Sequence, residues 1–294
     1  MTGGQKIGLR QIRTLGDMRR ADMLSHIVEG LPIILQSAEE LIAEADRLNG
    51  GARPSFLSLT PQTPEDRRRG RAVAILQGHA EEEAAKALML VDLVRCPSRR
   101  QQDRQRLASL VYDHLARMIY ADSAKWRPAN FAELRRYIDM ERQQFYLDGP
   151  NDVDYVFMNG MMYQRESLLY ADLVRWEDGL TWQPADGSPK TGRALDIARA
   201  LYRTGALTRA GLEGIDEIWD PLDLHDKTHW QDVAALNQAT LERLDRLGLI
   251  AADARDRDVG LILEWQFPLY PLDLSMIQTN VQTLTAARDR FSPY

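Results

Sequence analysis

The chain has 294 residues, 44% of them apolar and 27% charged, a balance that is typical of a globular protein with a full hydrophobic core. A net charge of −6 excludes a protein that is basic overall, but most of the 37 basic residues are arginine and could form local phosphate-binding patches. The one cysteine, Cys96, excludes an internal disulfide and a cysteine-based zinc site, and no apolar run is long enough to span a membrane, so we expect a cytoplasmic protein.

The N-terminal part of the chain predicts a tail, a helix and a loop. The first 20 residues are polar and contain glycine, so we expect a loosely held tail at 1–20. From Leu24 to about Arg47, apolar residues recur with the 3.6-residue period of a helix that packs on a core. Residues 50–66 contain three prolines and predict a long irregular loop, which is a candidate functional or mobile segment.

The central helix is predicted at about residues 69–94, where apolar residues form one stripe from Val73 to Val94. The segment Thr63-Pro64-Glu65-Asp66 is typical of the start of such a helix. A second stripe carries four polar residues, His79, Glu82, Glu83 and Lys86. Apolar residues lie above and below these four, so we expect them to be partly buried, where charged groups need partners. A solvated charged face is the alternative.

The middle of the chain predicts three more helices, at about 99–120, 130–147 and 165–176. The first of these carries His114 on its apolar face. Residues 153–163 fit either a short strand pair or an apolar connector, and a short extended piece is predicted at 180–182.

The C-terminal part predicts helices at 194–202, 208–218 and 228–247, followed by an arm at 261–274 whose prolines and aromatic residues favour a non-helical chain across an apolar groove. The predicted fold is therefore all-α. It consists of an antiparallel bundle of four or more helices from about Asp22 to Trp176, with a helical C-terminal extension packed on it.

Two short segments carry a resemblance to a known family. Residues 82–87, Glu-Glu-Ala-Ala-Lys-Ala, are similar to the Glu-Glu-x-x-Lys-Ala signature of the abortive-infection V (AbiV) family, which belongs to the all-helical HEPN domains. Residues 165–172 resemble the family's Arg-x-x-x-Leu-Tyr-x-Asp segment, and an acidic stretch with Gly and Trp follows, as the resemblance implies. The resemblance implies a HEPN/AbiV-like domain at 21–205 and leaves a helical extension at 206–294.

The resemblance also implies a function, which is antiphage defence by a cytoplasmic effector that arrests growth of the infected cell. Asp113, His114 and Arg117 fall where family members carry a His-x-x-basic element, although the basic residue here is arginine instead of lysine. We therefore hypothesise a ribonuclease that needs neither metal nor cofactor. His114 would take a proton, Lys86 and Arg117 would hold the phosphate, and Glu83 would orient the cation or the imidazole. The further candidate binding residues are His79, Glu82, Asp113, Arg165 and Tyr170.

Other readings remain open. The strict Arg-to-His spacing of HEPN ribonucleases occurs only where Arg19 and Arg20 precede His26, and 32 arginines make such a match expected by chance. A di-iron bundle would need Glu-x-x-His on two helices, whereas the chain has the reverse order. The remaining alternative is a non-catalytic helical module that binds a phage or host protein. HEPN-like domains commonly pair, so the resemblance implies a homodimer, with RNA as the other candidate partner.

Overall fold

The computed structural model describes residues 11–50, 63–143, 145–146, 156–157, 159–176, 179–185, 192–254, 256–265 and 267–277. The first ten residues of the expected tail and most of the predicted loop at 50–66 lie outside these residues, as do 153–155 and 158 of the ambiguous stretch. The rest of that stretch consists of a two-residue strand at 156–157 and the start of a helix at 160. The described residues are mostly helical, which confirms the all-α prediction. None of the described helices is both long enough and apolar enough to cross a membrane.

The helices are α1 (Arg20–Leu48), α2 (Pro64–Arg95), α3 (Gln101–Leu110), α4 (His114–Ser123), α5 (Phe131–Glu141), α6 (Gly160–Leu169), α7 (Ala194–Arg203), α8 (Arg209–Trp219), α9 (Trp230–Arg246) and α10 (Arg257–Leu263). The strands form two antiparallel hairpins, β1 (Phe145–Tyr146) with β2 (Val156–Phe157) and β3 (Asp172–Trp176) with β4 (Gly179–Gln183). Short 3-10 helices lie at Ile12–Gly16 and Ala252–Ala254.

Helix α2 is the centre of the fold and packs against α1, α3, α4, α6, α7 and α8. Its start is fixed by a capping box, in which Thr63 Oγ1 accepts from the Asp66 N–H and the Asp66 carboxylate accepts from the Thr63 N–H, each at 3.1 Å. From Ala84 to Arg95 every residue except Lys86 is buried. A helix that is buried on nearly all sides organises the elements around it.

Helices α1 and α2 run antiparallel. The guanidinium of Arg20, at the start of α1, donates to the carbonyls of Leu93 and Cys96 at the end of α2, at 3.0 and 3.1 Å. It also bonds the carboxylate of Asp216 on α8. Arg20 thus satisfies carbonyls that the end of α2 leaves without helical partners, and it ties three helices together.

The helix predicted at 99–120 is two helices, α3 and α4, separated at residues 111–113. The break has a local cause, because the Asp113 carboxylate accepts the backbone N–H of Ala116 at 2.9 Å and starts a new helix there. The break allows α4 to take its own direction and to pack against α2 through His114 and Arg117.

Two more helix ends differ from the prediction. Helix α5 ends at Glu141 instead of about 147, and the helix predicted at 165–176 ends at Leu169, after which 172–176 is strand β3. Asn159 starts α6 early, since its side-chain oxygen accepts two backbone N–H groups. Strand β3 then pairs with β4, which contains the predicted extended piece at 180–182.

At the two ends of the described chain the structure is more ordered than the sequence indicates. In place of the expected loose tail, Leu15 and Gly16 are buried, and Gly16 O accepts a hydrogen bond from Arg104 on α3. The arm predicted at 261–274 begins with the last turn of α10 and is non-helical from Trp265 onward. Its later apolar residues are buried in the core, Phe267, Leu269, Tyr270, Leu272 and Leu274.

Candidate functional site

Polar residues from three helices meet beside the middle of α2. We call this group the polar cluster, and its members are His79, Glu82, Glu83 and Lys86 of α2, His114 and Arg117 of α4, and Arg165 of α6. The centre of the cluster is Glu82, which is only 5% exposed. Its carboxylate lies 2.7 Å from His114 Nδ1, 2.9 Å from Arg165 Nε and 3.2 Å from Arg117 Nη2.

The second carboxylate, Glu83, contacts two cations. Both of its oxygens lie 2.6 Å from Lys86 Nζ, and one lies 3.5 Å from Arg117 Nη1. The ammonium of Lys86 also lies 5.7 Å from the centre of the Tyr112 ring. Glu83 therefore contacts two cations, whereas Glu82 contacts the imidazole of His114.

The position of His114 determines what its ring can do. Its Nδ1 lies 2.7 Å from Glu82 Oε2 and 2.8 Å from Arg117 Nη2. This nitrogen cannot donate a hydrogen bond to Glu82 and accept one from Arg117 at the same time. A buried carboxylate is the stronger acceptor, so the proton sits on Nδ1 and points to Glu82. This tautomer leaves the lone pair on Nε2, and the side chain is 43% exposed, so Nε2 can accept a proton from a ligand.

The cluster carries a local positive charge within an acidic protein. Three cations, Lys86, Arg117 and Arg165, face two carboxylates, which leaves one positive charge when both histidines are neutral. Burial alone would raise the pKa of Glu82, but the hydrogen bond from His114 and the charges of Arg117 and Arg165 outweigh it and lower the pKa. Burial lowers the pKa of His79, which keeps its ring neutral near pH 7.

The remaining candidates lie outside the polar cluster. Asp113 caps α4, and Tyr170 follows the last turn of α6 with 62% of its surface exposed. The strict-spacing pair is also elsewhere, because Arg20 is bound to α2 and α8 and the His26 side chain is 57% exposed on α1. Among the described residues no group of three or more His, Cys, Asp or Glu side chains is arranged to hold a metal ion.

No family model, curated protein or solved structure matches this chain. The case for a functional site therefore depends on the geometry of the polar cluster and its surroundings.

A third carboxylate beside the cluster was not identified from the sequence. Glu81 lines a shallow groove together with Glu82, Lys125 and Arg165. Its carboxylate accepts the backbone N–H of Ala194 at 3.1 Å, at the start of α7. Gly192 packs so closely on it that a Cβ there would lie 1.9 Å from the carboxylate. These partners are more than 100 residues away in the chain, so no local pattern could have revealed them.

Glu81 gives the protein a stability that depends on pH. Burial raises the pKa of Glu81 to about 7, and the charge of Asp196 adds to the increase. Backbone hydrogen bonds from Leu195 and Ala194 and the charge of Lys125 act in the opposite direction but are weaker. Between the ordinary carboxyl pKa, about 4.5, and pH 7, the unfolded chain binds fewer protons than the folded one, so the free energy of unfolding falls as pH rises.

We therefore expect that Glu81→Gln no longer loses stability as the pH rises. The variant should be more stable than wild type by about 2–3 kcal/mol at pH 8 and about equally stable at pH 4. Urea unfolding at several pH values measures the difference. Glu29→Gln, whose side chain is 77% exposed, is the matched control and should follow wild type. Parallel pH curves for wild type and Glu81→Gln would contradict the expectation.

Burial of the polar cluster can be tested through Lys86, because the Lys86 and Glu83 side chains are only 13% and 21% exposed. Lys86→Ala should lower the free energy of unfolding by about 1–3 kcal/mol, since Glu83 loses its closest partner but keeps Arg117. Lys125→Ala removes a more exposed pair with Asp122 and should change stability by less than about 1 kcal/mol. If denaturant unfolding of Lys86→Ala matches wild type, the cluster is a solvated face.

Proposed function

We propose that the polar cluster cleaves RNA by general base catalysis without a metal. The observation that supports this most strongly is the pairing of His114 with the buried carboxylate of Glu82. A carboxylate that holds one imidazole nitrogen fixes the tautomer and leaves the other nitrogen to act as a base. Cations beside the same imidazole are the second requirement, because the phosphate gains negative charge as it reacts.

The proposed reaction uses the RNA's own 2′-hydroxyl as nucleophile. Nε2 of His114 takes the hydroxyl proton while the 2′-oxygen bonds to the adjacent phosphorus. The bond from phosphorus to the 5′-oxygen breaks, and this oxygen takes a proton from water. The hydroxide that remains takes the proton from Nε2 of His114, which restores the base. The products are a 2′,3′-cyclic phosphate and a 5′-hydroxyl. Arg117, Lys86 and Arg165 would hold the phosphate oxygens, and Glu83 would keep two of these cations in place.

The biological role that we propose is antiphage defence of the abortive-infection type. It rests on the resemblance of residues 82–87 and 165–172 to the AbiV family of HEPN domains. The structure supports the proposal at one point, since Glu82, Lys86 and Arg165 from these two segments belong to a single polar cluster. A cytoplasmic effector that cleaves RNA would arrest growth of the infected cell.

We also propose a homodimer, because pairing would bring two polar clusters into one cleft. Light scattering at micromolar concentration should then give about twice the chain mass of 33.5 kDa. A mass of one chain under these conditions would contradict the proposal.

The second candidate function is a non-catalytic module that binds a phage or host protein. The observation that favours it is an exposed apolar face on the β3–β4 hairpin. Trp182 lies directly opposite Leu173 in the register, and Leu180 lies on the same face two residues from Trp182. Trp182 is 71% exposed, Leu180 is 61% exposed and Leu173 is 43% exposed. Apolar groups at that exposure are typical of a surface that another protein covers.

Expression in a bacterial host distinguishes the two functions. Wild type, His114→Ala and the control His26→Ala are induced at equal levels, and growth, phage plating and total RNA are followed. The ribonuclease predicts growth arrest and RNA decay with wild type and His26→Ala but not with His114→Ala. Growth arrest with intact RNA in all three strains would contradict the enzyme and favour the binding module.

A further inference from the structure

A pocket of about 410 Å³ lies near the start of α7, where Arg193 donates to Glu264 of the pocket lining. Its walls come from the segment after α4, the first turns of α9 and the chain after α10. Four aromatic side chains dominate the lining, Trp126, Trp230, Trp265 and Phe267. Its volume and its largely aromatic lining are both typical of sites that bind small organic molecules.

One wall residue has an unused donor. Trp265 is 4% exposed, and its Nε1–H has no hydrogen-bond partner in the part of the chain that the structure describes. The guanidinium of Arg95 lies 4.2 Å from the centre of the Trp265 ring and holds it in place. Because Nε1 has almost no exposed surface, Trp265 contributes to the pocket as part of an apolar wall and not as a hydrogen-bond donor.

Two arginines meet one glutamate at the edge of the pocket: Arg127 and Glu264 line it, and Arg193 bonds Glu264. Glu264 lies 2.9 Å from Arg127 Nη2 and 3.2 Å from Arg193 Nη1, so two guanidinium groups share one carboxylate. Hydrogen bonds from Arg193 and Arg127 lower the pKa of Glu264, which is therefore ionised near neutral pH. An anionic group near the rim would be attracted, whereas a cationic ligand would be repelled by the two arginines.

We propose that this pocket binds one nucleoside monophosphate. The base would stack on the indole rings, as nucleobases do on aromatic side chains in single-strand binding proteins. The phosphate would bind Arg127 and Arg193, which meet at Glu264 on the edge of the pocket. A wholly apolar ligand would leave the arginines unused, so it fits the pocket less well.

The nucleotide has two possible sources, a free mononucleotide or the end of an RNA strand. Lys125 lines the groove beside the polar cluster, and the next two residues, Trp126 and Arg127, line the pocket. On the other side, Ala194 bonds Glu81 of that groove while Arg193 bonds Glu264 of the pocket. A strand that lies in the groove could therefore place a nucleotide in the pocket. The proposal itself does not require that the polar cluster cleave RNA.

Calorimetry and tryptophan fluorescence on the full chain test the proposal with AMP, GMP, CMP and UMP as probes. We expect at least one mononucleotide to bind and to quench fluorescence. Trp230→Ala should weaken this binding by about tenfold or more. Arg127→Gln should weaken binding of the nucleotide but not of the matching nucleoside. Trp230 is 49% exposed, so its replacement is tolerated by the fold.

Two controls make the result specific. Trp182→Ala removes a tryptophan of the β3–β4 hairpin that is not among the residues lining the pocket, so it should leave binding unchanged. His114→Ala should bind the nucleotide as wild type does, so a failure of the proposed catalysis leaves this result intact. Competition by a short 5′-phosphorylated RNA identifies a strand end as the source, and its absence identifies the free nucleotide. The proposal is overturned if no mononucleotide binds up to about 1 mM, or if Trp230→Ala binds as wild type does.

Discussion

His114→Ala is expected to lower the rate of RNA cleavage by about 10²–10⁴-fold, the range that a positioned general base contributes. The reason is that Nε2 of His114 is the proton acceptor of the proposed reaction, while Glu82 holds Nδ1. Single-turnover cleavage of a labelled RNA by purified protein measures the effect. Folding should survive the change, because Glu82 keeps Arg117 and Arg165 as partners.

The control for this prediction is His26→Ala. His26 has the spacing to Arg20 that the strict HEPN motif requires, but its side chain is exposed on α1, where Nδ1 lies 3.9 Å from the Glu29 carboxylate. Its replacement should leave the cleavage rate within about twofold of wild type. Equal rates for wild type, His114→Ala and His26→Ala would remove His114 from the mechanism. A loss in His26→Ala alone would favour the strict motif.

Asp92→Ala should lower the free energy of unfolding by about 3–5 kcal/mol, the cost of breaking a buried ion pair. Asp92 and Arg95 have side chains that are 0% and 1% exposed, and they are 3.1 Å apart. Loss of Asp92 would leave the Arg95 charge between the rings of Trp219 and Trp265 without a carboxylate. It would also remove the acceptor of the Leu269 N–H, 2.6 Å away, which fixes the C-terminal arm to α2.

Urea unfolding at pH 7 measures this effect. Asp122→Ala is the control, because its pair with Lys125 is more than one third exposed and should contribute less than about 1 kcal/mol. Equal midpoints and slopes for wild type and Asp92→Ala would mean that the buried pair contributes nothing to the folded state. The expected loss of stability would also be contradicted if Asp92→Ala were as stable as wild type and differed only in the protease sensitivity of the C-terminal arm.

The sequence predicts those parts of the fold that depend on local chemistry. The apolar stripe of α2 and its start at Thr63 follow from helix period and capping, and both agree with the structure. The break between α3 and α4 was missed, although Asp113 is a good N-cap residue, because the apolar pattern continues through it. The sequence predicts helix at strand β3, because this strand forms only by pairing with β4.

For the candidate site, too, the sequence predicts some residues and not others. Periodicity and the family resemblance together bring Glu83, Lys86, His114 and Arg117 into one proposal, and the structure places these four side chains in one cluster. The central role of Glu82 and the contact of Arg165 with it depend on how α4 and α6 pack on α2, which no local pattern encodes. Glu81 and its contact with α7 depend on the same long-range packing.

The most direct test of the account is the chemistry of the cleaved ends. Purified wild type is incubated with RNA in EDTA, and the products are analysed by mass spectrometry. A second RNA carries a single 2′-deoxy nucleotide at the mapped cleavage position. The account predicts a 2′,3′-cyclic phosphate and a 5′-hydroxyl from the first RNA, and no cleavage at the deoxy position of the second. Cleavage at the deoxy position, or products that form with His114→Ala at the wild-type rate, would contradict it.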